Sequence, residues 1–170
     1  VVRTTRPHFA VMGKMPGSAA YRNLRWAPEA TTTPGVLVIR IDAQFYFGNV
    51  TFLRETLADL EAGMQEPLRA VVIDASSIND LDSSADTALH EIADDYARRG
   101  VRLLFAGVKG PVRLVMLRSR FFERLGTDHF FLTVDDAVES LRERARGDEA
   151  APTSDPLVAR LSRGEAAAKA

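Results

Sequence analysis

Three short runs of β-branched and aliphatic residues set the terms on which this chain can fold. They are Val36-Leu37-Val38-Ile39-Arg40-Ile41, Ala70-Val71-Val72-Ile73 and the stretch from Arg102 to Ala106. They lack the apolar–polar alternation of a strand with one wet face, so they read as strands buried on both sides. Between them lie helical stretches. Val50, Leu53, Leu57, Leu60 and Met64 recur at steps of three and four behind Asn49, a residue suited to N-capping, and the stripe ends near Pro67. Residues 84–99 put Leu89, Ile92 and Tyr96 on one face and close on Arg98-Arg99-Gly100. Gly110-Pro111 opens a third helix. Residues 130–134 read as a short edge strand, and Asp135 starts a last helix that buries Val138 and Leu141. With residues 8–12 as a further short strand, strands and helices alternate along the chain. That order predicts an α/β fold: a mostly parallel, mixed sheet of four or five strands surrounded by four helices.

Composition narrows the function classes. The 22 Lys and Arg balance 23 Asp and Glu to a net charge of −1, which excludes a globally basic nucleic-acid binder. No cysteine is present, so disulfides, thiolate metal sites and cysteine nucleophiles are excluded. Apolar runs such as Val36 to Ile39 fall far short of the roughly 20 residues of a membrane helix. The start at Val1, without a signal peptide, fits a piece of a longer chain. No Gly-x-Ser-x-Gly elbow, Walker loop or Gly-x-Gly-x-x-Gly occurs, and His8, His90 and His129 are isolated in sequence. No enzymatic activity, cofactor or metal is expected.

The most informative segment runs from Asp74 through Ile78-Asn79-Asp80-Leu81-Asp82-Ser83-Ser84-Ala85 to Asp86. A strand ends, a polar loop follows, and a helix begins near Ser83 or Ser84. Two readings stand side by side. Ser83 caps the helix by accepting the Asp86 amide while Asp86 reaches back, a variant capping box. Or Ser83 is a phosphorylation site, at a helix start whose free amides and dipole suit an anion.

This strand–loop–helix, with Leu81-Asp82-Ser83-Ser84, resembles the STAS domain of sulphate transporters and bacterial anti-sigma factor antagonists. The upstream residues Arg6-Pro7-His8-Phe9-Ala10-Val11-Met12-Gly13, Pro16-Gly17, Tyr21-Arg22, Pro34-Gly35 and Phe45-Tyr46-Phe47-Gly48-Asn49 resemble the SulP anion-transporter branch, in which this arm follows the last membrane helix. The resemblance runs from about Arg6 to Leu141. It implies a STAS-like fold, with residues 1–35 as an N-terminal arm carrying the first strand, 36–146 as the core and 147–170 as a flexible tail. It implies a regulatory surface at Ser83, flanked by Asp82 and Ser84, on the cytoplasmic face of a SulP-type sulphate transporter. The chain has Ala85 where stand-alone antagonists usually carry glycine, and a Cβ there is expected to crowd the approach to Ser83. The alternative is a stand-alone antagonist working as a serine phospho-switch.

The expected partner is the transmembrane domain of the same transporter, with a regulatory protein or a nucleotide as further candidates. No nucleic acid is expected, and self-association no stronger than a weak homodimer. Lys109, in Gly107-Val108-Lys109-Gly110, and Arg113 are the candidate anion or nucleotide contacts, against the plainer reading of a strand-to-helix turn. Seven acids between Asp74 and Asp95 face five cations between Lys109 and Arg124 along the chain, which gives either two solvated faces or a bipolar docking surface. Phe45-Tyr46-Phe47 reads as core packing or as an exposed contact patch.

Overall fold

A computed structural model describes residues 8–42, 46–146 and 155–162. The strands are β1 (His8–Lys14), β2 (Tyr21–Asn23), β3 (Val36–Asp42), β4 (Ala70–Asp74), β5 (Arg102–Ala106) and β6 (Phe130–Phe131). The helices are α1 (Phe47–Ala62), α2 (Ser83–Arg98), α3 (Gly110–Arg118), α4 (Phe121–Leu125), α5 (Val134–Ala145) and α6 (Pro156–Ser162). They form one sheet in the order β2-β1-β3-β4-β5-β6. From β3 to β6 the pairing is parallel, and β1 joins β3 antiparallel. The α/β class, the central strands and the mixed sheet agree with the sequence reading. The count differs: six strands among the described residues rather than four or five, because β2 is a three-residue hairpin arm on β1.

Each parallel pair is joined by a crossover containing a helix, as parallel pairing requires. The register sets Val38 beside Val72 and Val72 beside Leu104, so alternate residues supply two cores. Leu37, Ile39, Val71, Ile73, Leu103 and Phe105 face the side packed by α1, α2, α3 and α4. Val36, Val38, Ala70, Val72 and Leu104 face α5, which contributes Ala137, Val138 and Leu141. The stretch from Lys14 to Thr33 joins that second layer at both its ends. Lys14 pairs with Asp135 at 2.7 Å, and Arg142 donates to Thr33 at 3.2 Å. Gly35 makes the turn into β3 at φ +72°, where a Cβ would stand 2.9 Å from the Pro67 carbonyl.

Several boundaries move for identifiable reasons. Helix α1 begins at Phe47 behind Tyr46, which gives no side-chain cap, and Asn49 lies buried in its first turn. It closes at Gly63, short of Pro67. Helix α5 begins one residue before Asp135, capped by Thr133, whose hydroxyl accepts the Asp136 N–H. Helix α4 is held by an aromatic cluster in which Phe122 and Phe130 lie edge-to-face at 4.8 Å. Arg120, between α3 and α4, takes a left-handed backbone at φ 62°. The aromatic segment is split: Tyr46 is half exposed, and Phe45 lies outside the described residues.

The expected flexible tail contains an anchored segment. Helix α6 packs on α3 and α4, with Val158 fully buried in the core. Asp155 is buried, its N–H donates to the Phe130 carbonyl at 2.8 Å, and its carboxylate pairs with Arg113. Among the described side chains, Val158 and Asp155 supply the buried contacts of this segment. Residues 147–154 and 163–170 lie outside the described residues. Val158→Asp puts an unpaired carboxylate into that seat. We expect trypsin to cleave at Arg160 well before Arg102 in this variant, and the two sites to be protected alike in the parent.

His129 supplies a pH dependence. Its Nδ1 lies 2.8 Å from the Leu103 carbonyl, and burial pushes its pKa below the ordinary imidazole range, with Arg102 and Arg144 adding to that direction. The folded state therefore favours the neutral ring. Its contribution is present above the unfolded value of about 6.5 and is lost as pH falls through that value toward the lower folded one. The urea midpoint is expected to drop between about pH 7 and about pH 5.5, and to drop less in His129→Gln.

Candidate functional site

The parallel strands β3, β4 and β5 all end at the same edge of the sheet, and the loops after β4 and β5 meet there. In α/β sheets the carboxyl ends of the strands are where function gathers. The loop from Ala75 to Asp82 is pinned from below by Ile78 and Leu81, both buried in the core. Apolar residues at these two positions leave Ser76, Asn79, Asp80 and Asp82 on the outside. Asp74 closes the start of the loop: its Oδ1 accepts the Ser76 N–H at 3.1 Å and the Ser76 hydroxyl at 2.6 Å. Gly107 brings the second loop close. Its φ of +68° and a space that would set a Cβ 3.2 Å from Ser76 Cβ favour glycine there.

Helix α2 starts on this surface. Its N-cap is Asp82, whose Oδ1 accepts the Ala85 N–H at 2.7 Å. This corrects the capping-box expectation: Ser83 is the first helical residue, and its hydroxyl is not the cap. Aspartate can cap as well as serine, and the buried Leu81 fixes which of the two takes the position. Ser83 and Ser84 are consequently both exposed on the first turn, with side chains not committed to capping. The Ala85 side chain is fully buried in the core, so it points away from Ser83 instead of crowding it.

Asp86 does not reach back toward the loop. It is buried, with Oδ2 3.5 Å from His90 Nε2, one turn along the helix. The same Nε2 is 3.3 Å from Ser119 Oγ, and the ring meets Phe121 edge-on at 4.9 Å. Burial pushes the Asp86 pKa up, while Ser119 and His90 pull it back. The sequence reading missed this trio, although Asp86 and His90 at i and i+4 on the apolar side of α2 signal the pair. It is not a hydrolytic relay. Such a relay needs acid and hydroxyl on opposite ring nitrogens, and here both meet Nε2.

The two candidate anion contacts do not converge. Lys109 is exposed and donates from Nζ to Asn79 Oδ1 at 2.7 Å, tying the two loops together across the surface. Arg113 is mostly buried and pairs with Asp155. Burial pushes its pKa down. The acidic and basic segments, separate in sequence, partly neutralise each other in space. Asp94 takes Arg124 Nε at 2.8 Å, while Glu91 of the acidic segment meets Arg54 of α1, outside the basic segment, at 3.2 Å. Among the described residues no group of three His, Asp or Glu is arranged to hold a metal ion, and no helix is long and apolar enough to cross a membrane.

Residues 27–137 match the family described as the STAS domain. The chain is 33% identical over 145 residues to "Probable sulfate transporter 4.2" of Arabidopsis thaliana, which covers 80% of this chain and 21% of that protein. It is 36% identical over 148 residues to "Sulfate transporter 1.3" of the same plant, covering 82% and 23%. The chain thus spans about a fifth of the length of the curated relatives it matches. Among solved structures it is similar to SLC26A9, with a TM-score of 0.73 at 18% identity over 81% of this chain and 24% of that one. It is also similar to a SulP transporter STAS domain from Vibrio cholerae, with a TM-score of 0.58 at 15% identity over 74% and 94%. The anti-sigma factor antagonist SpoIIAA follows with a TM-score of 0.50 at 19% identity over 69% and 93%. At these identities the structural likenesses speak for the fold.

The two neighbouring positions of the α2 start separate cleanly by mutation. Asp82→Ala removes the cap and is expected to cost about 1 kcal/mol. Ser83→Ala is expected to change stability by less than about 0.5 kcal/mol. Urea denaturation of both variants at pH 7 checks the assignment, and a reversed order would return the cap to Ser83.

Proposed function

This chain belongs to the STAS domain family, and from that membership we propose that it is the cytoplasmic C-terminal regulatory domain of a SulP-type secondary anion transporter, with sulphate as the transported anion. The similarity to sulphate transporters, 33% identity through 145 residues, carries the reading. That stretch is longer than the family match over 27–137. The alternative of a stand-alone antagonist rests on a likeness of fold alone. The domain's own part is to bear on the assembly or gating of a membrane domain. We assign it no reaction.

Within that reading, Ser83 is the regulatory residue and the loop edge its surface. Support comes from the free hydroxyl on the first turn of α2, beside the Asp82 cap and the exposed Asp80. A phosphate there would gain from the helix-start amides, on the order of 1 kcal/mol. It would also add about −1.5 to −2 charge to a surface that already carries two exposed carboxylates. The amide contacts are internal to the domain, whereas a partner meets the summed negative potential. Phosphorylation therefore weakens docking without unfolding the domain.

The test uses the full-length transporter. Ser83→Asp is expected to change labelled sulphate uptake several-fold at matched membrane abundance, while Ser83→Ala transports like the parent. Uptake unchanged in both variants would remove Ser83 from regulation. A parent that moves no sulphate would remove the substrate assignment.

A further inference from the structure

The chain has a single tryptophan, and it lies in the open. Trp26 is 74% exposed, more than any other large apolar side chain among the described residues. Its exposure is built into the turn that holds it. Asn23 organises that turn: its carbonyl accepts the N–H groups of Trp26 and Ala27, both at 3.0 Å, and its Oδ1 accepts the Arg25 N–H at 3.0 Å. Ala27 is buried on the inner side, which anchors the turn and leaves Trp26 facing outward. The Arg25 guanidinium stands 5.0 Å from the indole centroid, a cation–π arrangement.

Along the chain around the ring, two exposed cations precede it and one exposed acid, Glu29, follows three residues on. Arg22, on β2, and Arg25 are both exposed, and among the described residues neither is ion-paired with a carboxylate. Several guanidiniums elsewhere are engaged with carboxylates: Arg40 with Asp42, Arg54 with Glu91, Arg124 with Asp94 and Arg113 with Asp155. The turn is fixed to the first strand, since the Leu24 N–H donates to the Val11 carbonyl at 2.9 Å.

An exposed indole with one unpaired guanidinium over its ring and a second exposed arginine four residues earlier in the chain fits the headgroup region of a bilayer, where the ring enters the interface and the cations meet lipid phosphates. We propose that the turn from Asn23 to Ala27 is a membrane-surface contact: Trp26 inserts among the headgroups of an anionic leaflet, and Arg22 and Arg25 pair with their phosphates. This rests on the reading of the chain as a transporter domain, which brings β1 close to a membrane. Each cation near an anionic surface strengthens partition roughly fivefold, so two cations and one indole give contact only when the domain is already held at the bilayer.

The experiment therefore tethers the 170-residue chain by an N-terminal histidine tag to vesicles carrying nickel-chelating lipid, in phosphatidylcholine with or without about 30 mol% phosphatidylglycerol, enough anionic lipid to set up a negative surface potential. The only tryptophan reports its own position by emission wavelength and by quenching with aqueous acrylamide. On anionic vesicles the emission is expected to shift to the blue and acrylamide quenching to fall at least twofold. Arg22→Glu with Arg25→Glu should abolish both changes, and added salt should weaken them. Circular dichroism of the double variant, whose altered side chains are exposed, checks that the fold is retained. Undiminished quenching on tethered anionic vesicles would overturn the proposal. So would equal shielding on neutral and anionic vesicles that survives the double substitution. The measurement involves no transport, so its failure is distinguishable from a failure of sulphate uptake.

Discussion

The pairing of β4 with β3 on one side and β5 on the other is the constraint from which the rest of this domain follows. All three strands run the same way, so each connection must climb back across the sheet, and helices are the means of doing so. Val71, Val72 and Ile73 are fully buried, which requires cover on both faces. One face takes the α1–α4 layer. The other takes α5 together with the chain between β1 and β3. Because the three strands end at one edge, the loops that follow β4 and β5 are neighbours before any side chain is considered.

Packing turns that neighbourhood into a surface. Ile78 and Leu81 hold the loop after β4 against the core, so its polar residues stand out instead of folding inward. Lys109 and Asn79 join the two loops, and Asp82 ends the loop by starting α2. The hydroxyl of Ser83 is left free because the residue before it does the capping. A residue exposed on the first helical turn, at low cost to stability, can carry a charge change that a buried or capping residue could not.

The central strands and the faces of α2 and α5 were legible in the sequence because their periodicities are strong and their burial is complete. Hairpin strand β2 was not: three residues with a burial pattern set by a neighbour carry no period of their own. Helix α4 is five residues long and is held by aromatic packing with Phe130, a contact outside the helix itself. Docking of α6 depends on Arg113 and on the Phe130 carbonyl, both far from Asp155 in sequence. At the candidate surface the serine, the acids and the helix start could be read directly. Which residue caps the helix could not, since Asp and Ser compete on nearly equal terms and tertiary anchoring of Leu81 decides. The Ala85 expectation failed because it concerned the direction of a side chain, which depends on where α2 sits against the sheet.

The bond between Lys14 and Asp135 has a mechanical meaning. Strand β1 lies antiparallel along β3, and its far end is clasped to α5 on the second face of the sheet. Tension applied at His8 along the strand axis would load the β1–β3 ladder in shear, so its hydrogen bonds would have to yield together and not one after another. The same pull would reach α5 through Lys14 and, by way of Arg142 and Thr33, the turn that leads into β3. A displacement at the start of the domain is thereby shared by both faces of the sheet, and the arm behaves as a stiff lever rather than a leash.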